Sequence, residues 1–233
     1  MADMVNRGES VADIGTDHAY VPMILMRDGI SPRVIMSDIS EGSLAKAKET
    51  FSICELSVPD SDFRIGDGLD TISPGEVDVI IIGGLGGHTI ADILDSDIAK
   101  SKSFKRFILQ PRKHSGALRY YLYTRGFDIT EEAISKEGKF ECEIIAAVPT
   151  SDELRQELYP ADDIRWKYPA EMVNSNPELA IERIKWKINS IDEQIENLKT
   201  SNTDKSELIT VLEKDKEYLI DIVNNAYNSH NNH

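Results

Sequence analysis

Val11-Ala12-Asp13-Ile14-Gly15-Thr16-Asp17-His18-Ala19-Tyr20 reads as a short buried strand, a tight turn and the start of a helix. At the carboxyl end of the first strand of an open α/β sheet, such a turn is where nucleotide-like ligands dock. The dinucleotide fingerprint G-x-G-x-x-G carries a second glycine so that backbone can approach a pyrophosphate. Here Gly15 is followed two positions on by Asp17. A carboxylate repels a pyrophosphate and attracts a cation, and S-adenosylmethionine carries both an ammonium and a sulfonium. An NAD-type ligand is the weaker alternative for the same reason.

The 233 residues leave room for one large domain, or a medium one with an appendage. With 40% apolar residues an ordinary core is available, and no apolar run is long enough to span a bilayer. The opening MADMVNRGES has no apolar h-region, so a cytoplasmic protein without a signal peptide is expected. Cys54 and Cys142 form no C-x-x-C pair and read as buried cytosolic thiols. No second ligand stands near His88, and no metal is expected. A net charge of −15 opposes generic nucleic-acid binding.

Outward from the first turn, a helix is expected over 18–27 with Asp17 as its N-cap and Pro22 tolerated early. A second strand, 33–37, ends at Asp38, about 21 residues past the turn, the spacing at which an acid binds ribose hydroxyls in this fold. Asp38 could instead cap the helix expected over 41–53. A third strand, 62–65, runs into Gly66-Asp67-Gly68, where Asp67 suits an adenine amino group. Val77 to Ile82 reads as the sheet centre, followed by a turn Gly83-Gly84-Leu85-Gly86-Gly87. That many glycines points to close approach of a ligand to backbone. His88, opening the next helix, reads as a cap or substrate contact.

A strand over 104–110 is expected to stop at Pro111, with a helix over 115–125 after it. Segments 127–134 and 140–148 then form an antiparallel pair around a turn at 136–139. An antiparallel hairpin closing an otherwise parallel sheet is the class I methyltransferase arrangement. Between Ile98 and Phe127 stand eight Lys or Arg and no acid: Lys100, Lys102, Lys105, Arg106, Arg112, Lys113, Arg119 and Arg125. This is a polyanion footprint, or else a solvated face balanced by acids elsewhere. Arg112 and Lys113 are the best candidates because they follow Gln110-Pro111 at a strand end.

Residues 151–177 read as a connector with a short helix. Ile184, Ile188, Ile191, Ile195 and Leu198 then repeat at alternating four and three, a coiled-coil seam. A second helix carries Leu208, Val211/Leu212, Leu219 and Ile222, closing an antiparallel hairpin over 178–223 after a turn at 200–206. Residues 224–233 are expected to fray. The expected whole is an α/β fold: a Rossmann-like class I methyltransferase sheet in 1–150, the connector, and a C-terminal α-helical coiled-coil hairpin.

DIGTDHAY, SDIS, GDGL, GGLGG and LQP together resemble the bacterial tRNA (adenine-22-N1)-methyltransferase family, over about residues 5–222. The family commonly has Met where this chain has Leu85, a volume-conserving change, and Asn where it has Arg112. The resemblance implies S-adenosylmethionine held by Asp13, Gly15, Asp38, Asp67, Gly83, Gly84, Leu85 and Gly86. The methyl goes to N1 of adenine 22 in the D-arm of tRNA. Asp17 is the candidate for stabilising the cationic product, with His18 and Tyr20 positioning; His88, Gln110, Arg112, Lys113 and Arg119 would meet tRNA. The hairpin would orient the tRNA or dimerise the protein, leaving monomer and dimer both open. The competing readings are a methyltransferase of the same fold acting on a small molecule or protein, and a non-catalytic cofactor-binding module whose hairpin recruits a partner.

Overall fold

Alternation of apolar side chains along the strands builds two separate cores, one on each face of a single sheet. The computed structural model describes residues 1–138, 140–150, 155–200 and 204–230. The strands are β1 (Val11–Ile14), β2 (Val34–Asp38), β3 (Phe63–Ile65), β4 (Val79–Gly86), β5 (Arg106–Lys113), β6 (Phe127–Glu137) and β7 (Phe140–Pro149). The helices are α1 (Tyr20–Arg27), α2 (Glu41–Ile53), α3 (Gly87–Asp95), α4 (Ile98–Ser101), α5 (Ser115–Thr124), α6 (Ile164–Lys167), α7 (Pro177–Lys199) and α8 (Ser206–His230).

The strand order is β3-β2-β1-β4-β5-β7-β6, with β4 central as its apolar run requires. Strands β1 to β5 pair in parallel, and β7 inserts antiparallel between β5 and β6. Ala12, Ile14, Ile80, Ile82, Phe107 and Leu109 point to one face and pack with Ile90 and Leu94 of α3 and Leu118 and Leu122 of α5. Val11, Val79, Ile81 and Ile108 point to the other, with Leu25 of α1 and Leu44, Ala47 and Phe51 of α2. This is the period-two alternation of a strand buried on both sides.

Several expected boundaries move. Asp17 is not the cap of α1: Ala19 holds that position in left-handed backbone at φ 53°. Ser40, not Asp38, caps α2, its Oγ accepting from the Ser43 amide at 3.3 Å. Gly83 to Gly86 form no turn but the extended end of β4, and β5 runs through Pro111 to Lys113. A slip in the β4–β5 register between Gly83 and Leu85 makes this workable, since a bulge tolerates both glycine and a residue without an amide hydrogen. Cys54 and Cys142 are only partly buried, where burial was expected.

Beyond the sheet, the described part of the connector is packed rather than loose. Ile164, Trp166, Tyr168 and Met172 are buried, and the Trp166 indole donates to the Pro160 carbonyl at 3.0 Å. Connector residues 151–154 and turn residues 139 and 201–203 lie outside the described residues. Helices α7 and α8 run antiparallel, as the pairing of Asp192 with Lys216 and of Lys185 with Tyr227 requires. Their seam joins Ile184, Ile191 and Ile195 to Leu219, Ile222, Val223 and Ala226. On α8 the inward positions at its start are Ile209 and Leu212; Leu208 and Val211, expected in the seam, face solvent. Helix α8 continues to His230 instead of fraying from residue 224, and 231–233 lie outside the described residues.

Candidate active site

The β1 register places Ile14 opposite Ser37 on one side and Ile82 on the other, so the turn beginning at Gly15 sits between the ends of β2 and β4. Gly15 (φ 74°), Asp17 (φ 41°) and Ala19 (φ 53°) are all left-handed. For the two non-glycines this costs about 1 kcal/mol or more each, strain of the kind that gathers at ligand sites. The Gly15 and Thr16 amides both donate to the Ser37 carbonyl, at 2.8 and 3.1 Å, which anchors the turn to β2.

Three carboxylates converge here. Asp13 is buried and accepts from the Thr16 hydroxyl at 2.7 Å. Burial pushes its carboxyl up to about 6; the Thr16 bond opposes this and the nearby Asp38 charge adds to it. Asp38, at the end of β2, accepts from the Ser40 amide at 2.8 Å and from the Asp17 amide at 3.3 Å. It thereby joins the first two strand ends. The Asp17 side chain is exposed and accepts from Lys46 Nζ at 2.9 Å, which holds its carboxyl below the usual range. His18 and Tyr20 stack with ring centroids 5.4 Å apart and planes within 4°. They form one flat aromatic step beside Asp17.

Around these acids stand apolar groups that sequence reasoning missed. Ile39, directly after Asp38, is 71% exposed, and Ile65 at the end of β3 is also exposed. The signal was available: an apolar residue at or just past the strand end, where nothing in the fold buries it. Asp67 follows in an exposed loop held by close packing, because a Cβ on Gly66 would meet Thr71 Cγ2 at 2.3 Å. The Thr71 hydroxyl shares a 2.7 Å hydrogen bond with the Ser37 hydroxyl.

On the other side, Gly84 is the bulged residue of β4, at φ 78°. Its amide, excluded from the ladder, donates to Gln110 Oε1 at 2.7 Å. Gln110 is therefore committed to backbone support. Leu85 packs on the core. Arg112 and Lys113 are exposed, the Arg112 guanidinium resting 3.7 Å from the Cβ position of Gly84. His88 lies against His114, which the sequence reading did not single out.

Arg119 belongs elsewhere. Expected to meet tRNA, it is 3% exposed and bridges Glu132 at 2.5 Å and Glu143 at 2.6 Å. It also donates to the Trp166 carbonyl at 3.1 Å. Arg183 of α7 reaches the same Glu143 at 2.5 Å, so this cluster ties the hairpin to the sheet. Burial pushes the Glu143 carboxyl up, but Arg119 and Arg183 outweigh it and hold it below the usual range. Much of the basic stretch is likewise internally balanced: Lys105 pairs with Asp78, Arg106 with Glu9 and Arg125 with Asp95. A cavity of about 660 Å³ lies away from the strand ends, between β6, the connector and α8, lined by Glu132, Tyr159, Trp166, Glu171 and Tyr218 among others. Of the residues expected at the site, only Arg119 borders it.

A sequence profile of the methyltransferase domain family matches residues 1–145. The Bacillus subtilis protein named tRNA (adenine(22)-N(1))-methyltransferase is 35% identical over 147 residues, 63% of this chain and 61% of that protein. The chain thus spans about three fifths of the length of the curated relatives it matches. Among solved structures, the B. subtilis m1A22 tRNA methyltransferase TrmK superposes with a TM-score of 0.74 at 24% identity, covering 95% of both chains. Streptococcus pneumoniae Sp1610 in complex with S-adenosyl-L-methionine gives 0.73 at 23% identity, also covering 95% of both. These likenesses establish the fold, hairpin included.

Proposed function

The chain belongs to the methyltransferase domain family, and from that premise we propose that it methylates N1 of an adenine in tRNA, at position 22 of the D-arm. The observation that carries this reading is the convergence of Asp13, Asp17 and Asp38 on a strained turn at the ends of β1 and β2. Three acids around one turn suit a cationic ligand and oppose a pyrophosphate. The relative with the matching activity in its name is 35% identical over 147 residues, and the methyltransferase domain profile matches residues 1–145, which include this turn.

The residues present fit S-adenosylmethionine. Asp13 and Asp38 supply carboxylates for an ammonium and a ribose, Ile39 and Ile65 supply exposed apolar surface for a purine, and Asp67 stands at the β3 end. Beside Gly15 nothing lies within 4 Å of a Cβ position, which leaves room against the turn. When bound, that cofactor supplies a methyl group on a positively charged sulfur.

The chain's own part is mostly placement. Adenine N1 carries an available lone pair, so no residue has to remove a proton first. Bringing N1 into line with the methyl is worth much of the acceleration. The base has to leave its stack to reach the site, and the His18–Tyr20 step offers it a flat surface. As the ring gains positive charge, the ionised Asp17 carboxylate stabilises it. Arg112 and Lys113 stand on the rim to meet the RNA backbone. At the end of the central strand the chain has Gly83-Gly84-Leu85-Gly86 instead of the Asn/Asp-Pro-Pro-aromatic segment of amino-directed N6 enzymes, which favours a ring nitrogen. The same reading places the protein in the cytoplasm with its tRNA.

Incubation with labelled S-adenosylmethionine and unmodified bacterial tRNA transcripts tests this. Label entering tRNA supports the proposal; tight cofactor binding with no label in any tRNA overturns the substrate.

A further inference from the structure

Arg112, Lys113, His88 and His114 share the rim formed by the ends of β4 and β5. The two imidazole rings lie 4.7 Å apart and tilted by 48°, both on exposed residues. Backbone, not side-chain chance, brings them together. His114 takes left-handed backbone at φ 60°, and its carbonyl oxygen would sit 2.2 Å from a Cβ on Gly87. Only glycine at 87 allows the start of α3 to press against the β5–α5 corner this closely. Lys113 lies along Gly86, its Cε 3.6 Å from the Cβ position there, and Arg112 lies along Gly84.

We propose that these four side chains form a seat for one phosphodiester of the RNA backbone, next to the methyl-transfer site. The inference rests on the reading of tRNA as substrate and names the group that this part of the surface holds. Lys105, Arg106, Arg119 and Arg125 of the same basic stretch all have carboxylate partners, whereas Arg112 and Lys113 have none within 4 Å among the described residues.

The helix end adds to the charge. The first-turn amides of α3 receive no side-chain cap, so they stand available to an anion. The start of α5 differs, since an acid already stands beside it: Ser115 Oγ donates to the Glu143 carboxylate at 2.9 Å. The acid on α3 one turn beyond His88 is Asp92, which is exposed and has no ion pair with Arg112 or Lys113 within 4 Å. A metal fits poorly, since two imidazoles beside two fixed cations repel a cation. Among the described residues no group of three or more His, Cys, Asp or Glu gathers to hold one. Each imidazole can give an N–H to a phosphate oxygen, and Arg112 can do so bidentately.

The test follows the imidazole NMR signals of the full chain, assigned through His88→Gln and His114→Gln. A D-arm RNA hairpin containing the target adenine is added, and in a separate sample S-adenosylmethionine alone. Both ring signals are expected to shift with RNA and to stay in place with cofactor. In Arg112→Gln the slope of log affinity for RNA against log salt falls by about one. Ring signals unmoved at saturating RNA, or an RNA that does not bind, overturn the seat. Methyl incorporation into the same hairpin separates the two ideas. Incorporation with unmoved rings removes the seat and leaves the reaction; moved rings without incorporation keep the seat and remove the reaction.

Discussion

The Gly84 amide donates to Gln110 Oε1 across the slip where β4 leaves register with β5, at 2.7 Å. The side chain thus replaces the ladder bond that the bulge removes, and it fixes the left-handed glycine at the mouth of the site. Gln110→Ala leaves this amide without its partner. A loss of about 1–2 kcal/mol in urea unfolding is expected. Cofactor affinity by calorimetry should fall about tenfold, the size of a single misplaced contact. Unchanged affinity would mean that the bulge does not shape the cofactor site.

Arg119→Met tests the corrected role of that residue. Removing the guanidinium leaves Glu132 and Glu143 facing each other in a buried place, with only Arg183 remaining as a cation. Breaking a buried ion cluster in this way costs about 3–5 kcal/mol, read by urea unfolding. Equal stability of variant and wild type would return Arg119 to the surface.

The difference between Arg119 and Arg112 shows what the sequence can and cannot tell. Both sit in one acid-free stretch, and composition treats them alike. Glu132 and Glu143 reach Arg119 from 13 and 24 residues away, through a β6–β7 register that no local pattern encodes. The strand cores were legible because Val79 to Ile82 are apolar without interruption, as burial on both faces demands, and because only Asp13 breaks the apolar run from Val11 to Ile14. The end of β4 was not, since Gly83 to Gly86 read as a turn until the slip against β5 is known. On α8, apolar residues at 208, 209, 211 and 212 allow two phases of the seam, and only packing against α7 selects Ile209 and Leu212. The acids of the first turn were legible as residues, but not the strain at Asp17 and Ala19 or the link from Asp17 to Lys46.

Asp13 gives a pH dependence with a definite sign. Its carboxyl is raised to about 6 in the fold, against 3.8 as an ordinary value. The folded state therefore holds the proton more tightly. This group adds stability as pH falls from above 6 towards 4, and withdraws it as pH rises through 6. Asp13→Asn should be more stable than wild type at pH 8 by about 1–3 kcal/mol and melt at a higher temperature, with the gap closing by pH 4. Cofactor binding should weaken in wild type below pH 6, where the carboxylate needed by a cation is protonated. A pH-independent gap in the melts would contradict the assignment.

Asp17→Asn separates charge from backbone. Asparagine tolerates left-handed backbone, so the turn at φ 41° should persist. Cofactor affinity should stay within about threefold, while kcat falls roughly 10- to 100-fold, about 1.4–2.7 kcal/mol of transition-state stabilisation. Single-turnover rates with saturating tRNA measure it. Full activity in the variant would take the charge-stabilising role from Asp17.

The position of the new methyl group tests the central claim most directly. Unmodified tRNA transcripts are reacted with S-adenosylmethionine and mapped by primer-extension stops and nucleoside mass spectrometry, beside transcripts in which adenine 22 is replaced by guanine. The account predicts one 1-methyladenine at position 22, absent from the replaced transcripts. Methyl groups at another position or on an exocyclic amine, or incorporation that survives the replacement, would contradict it.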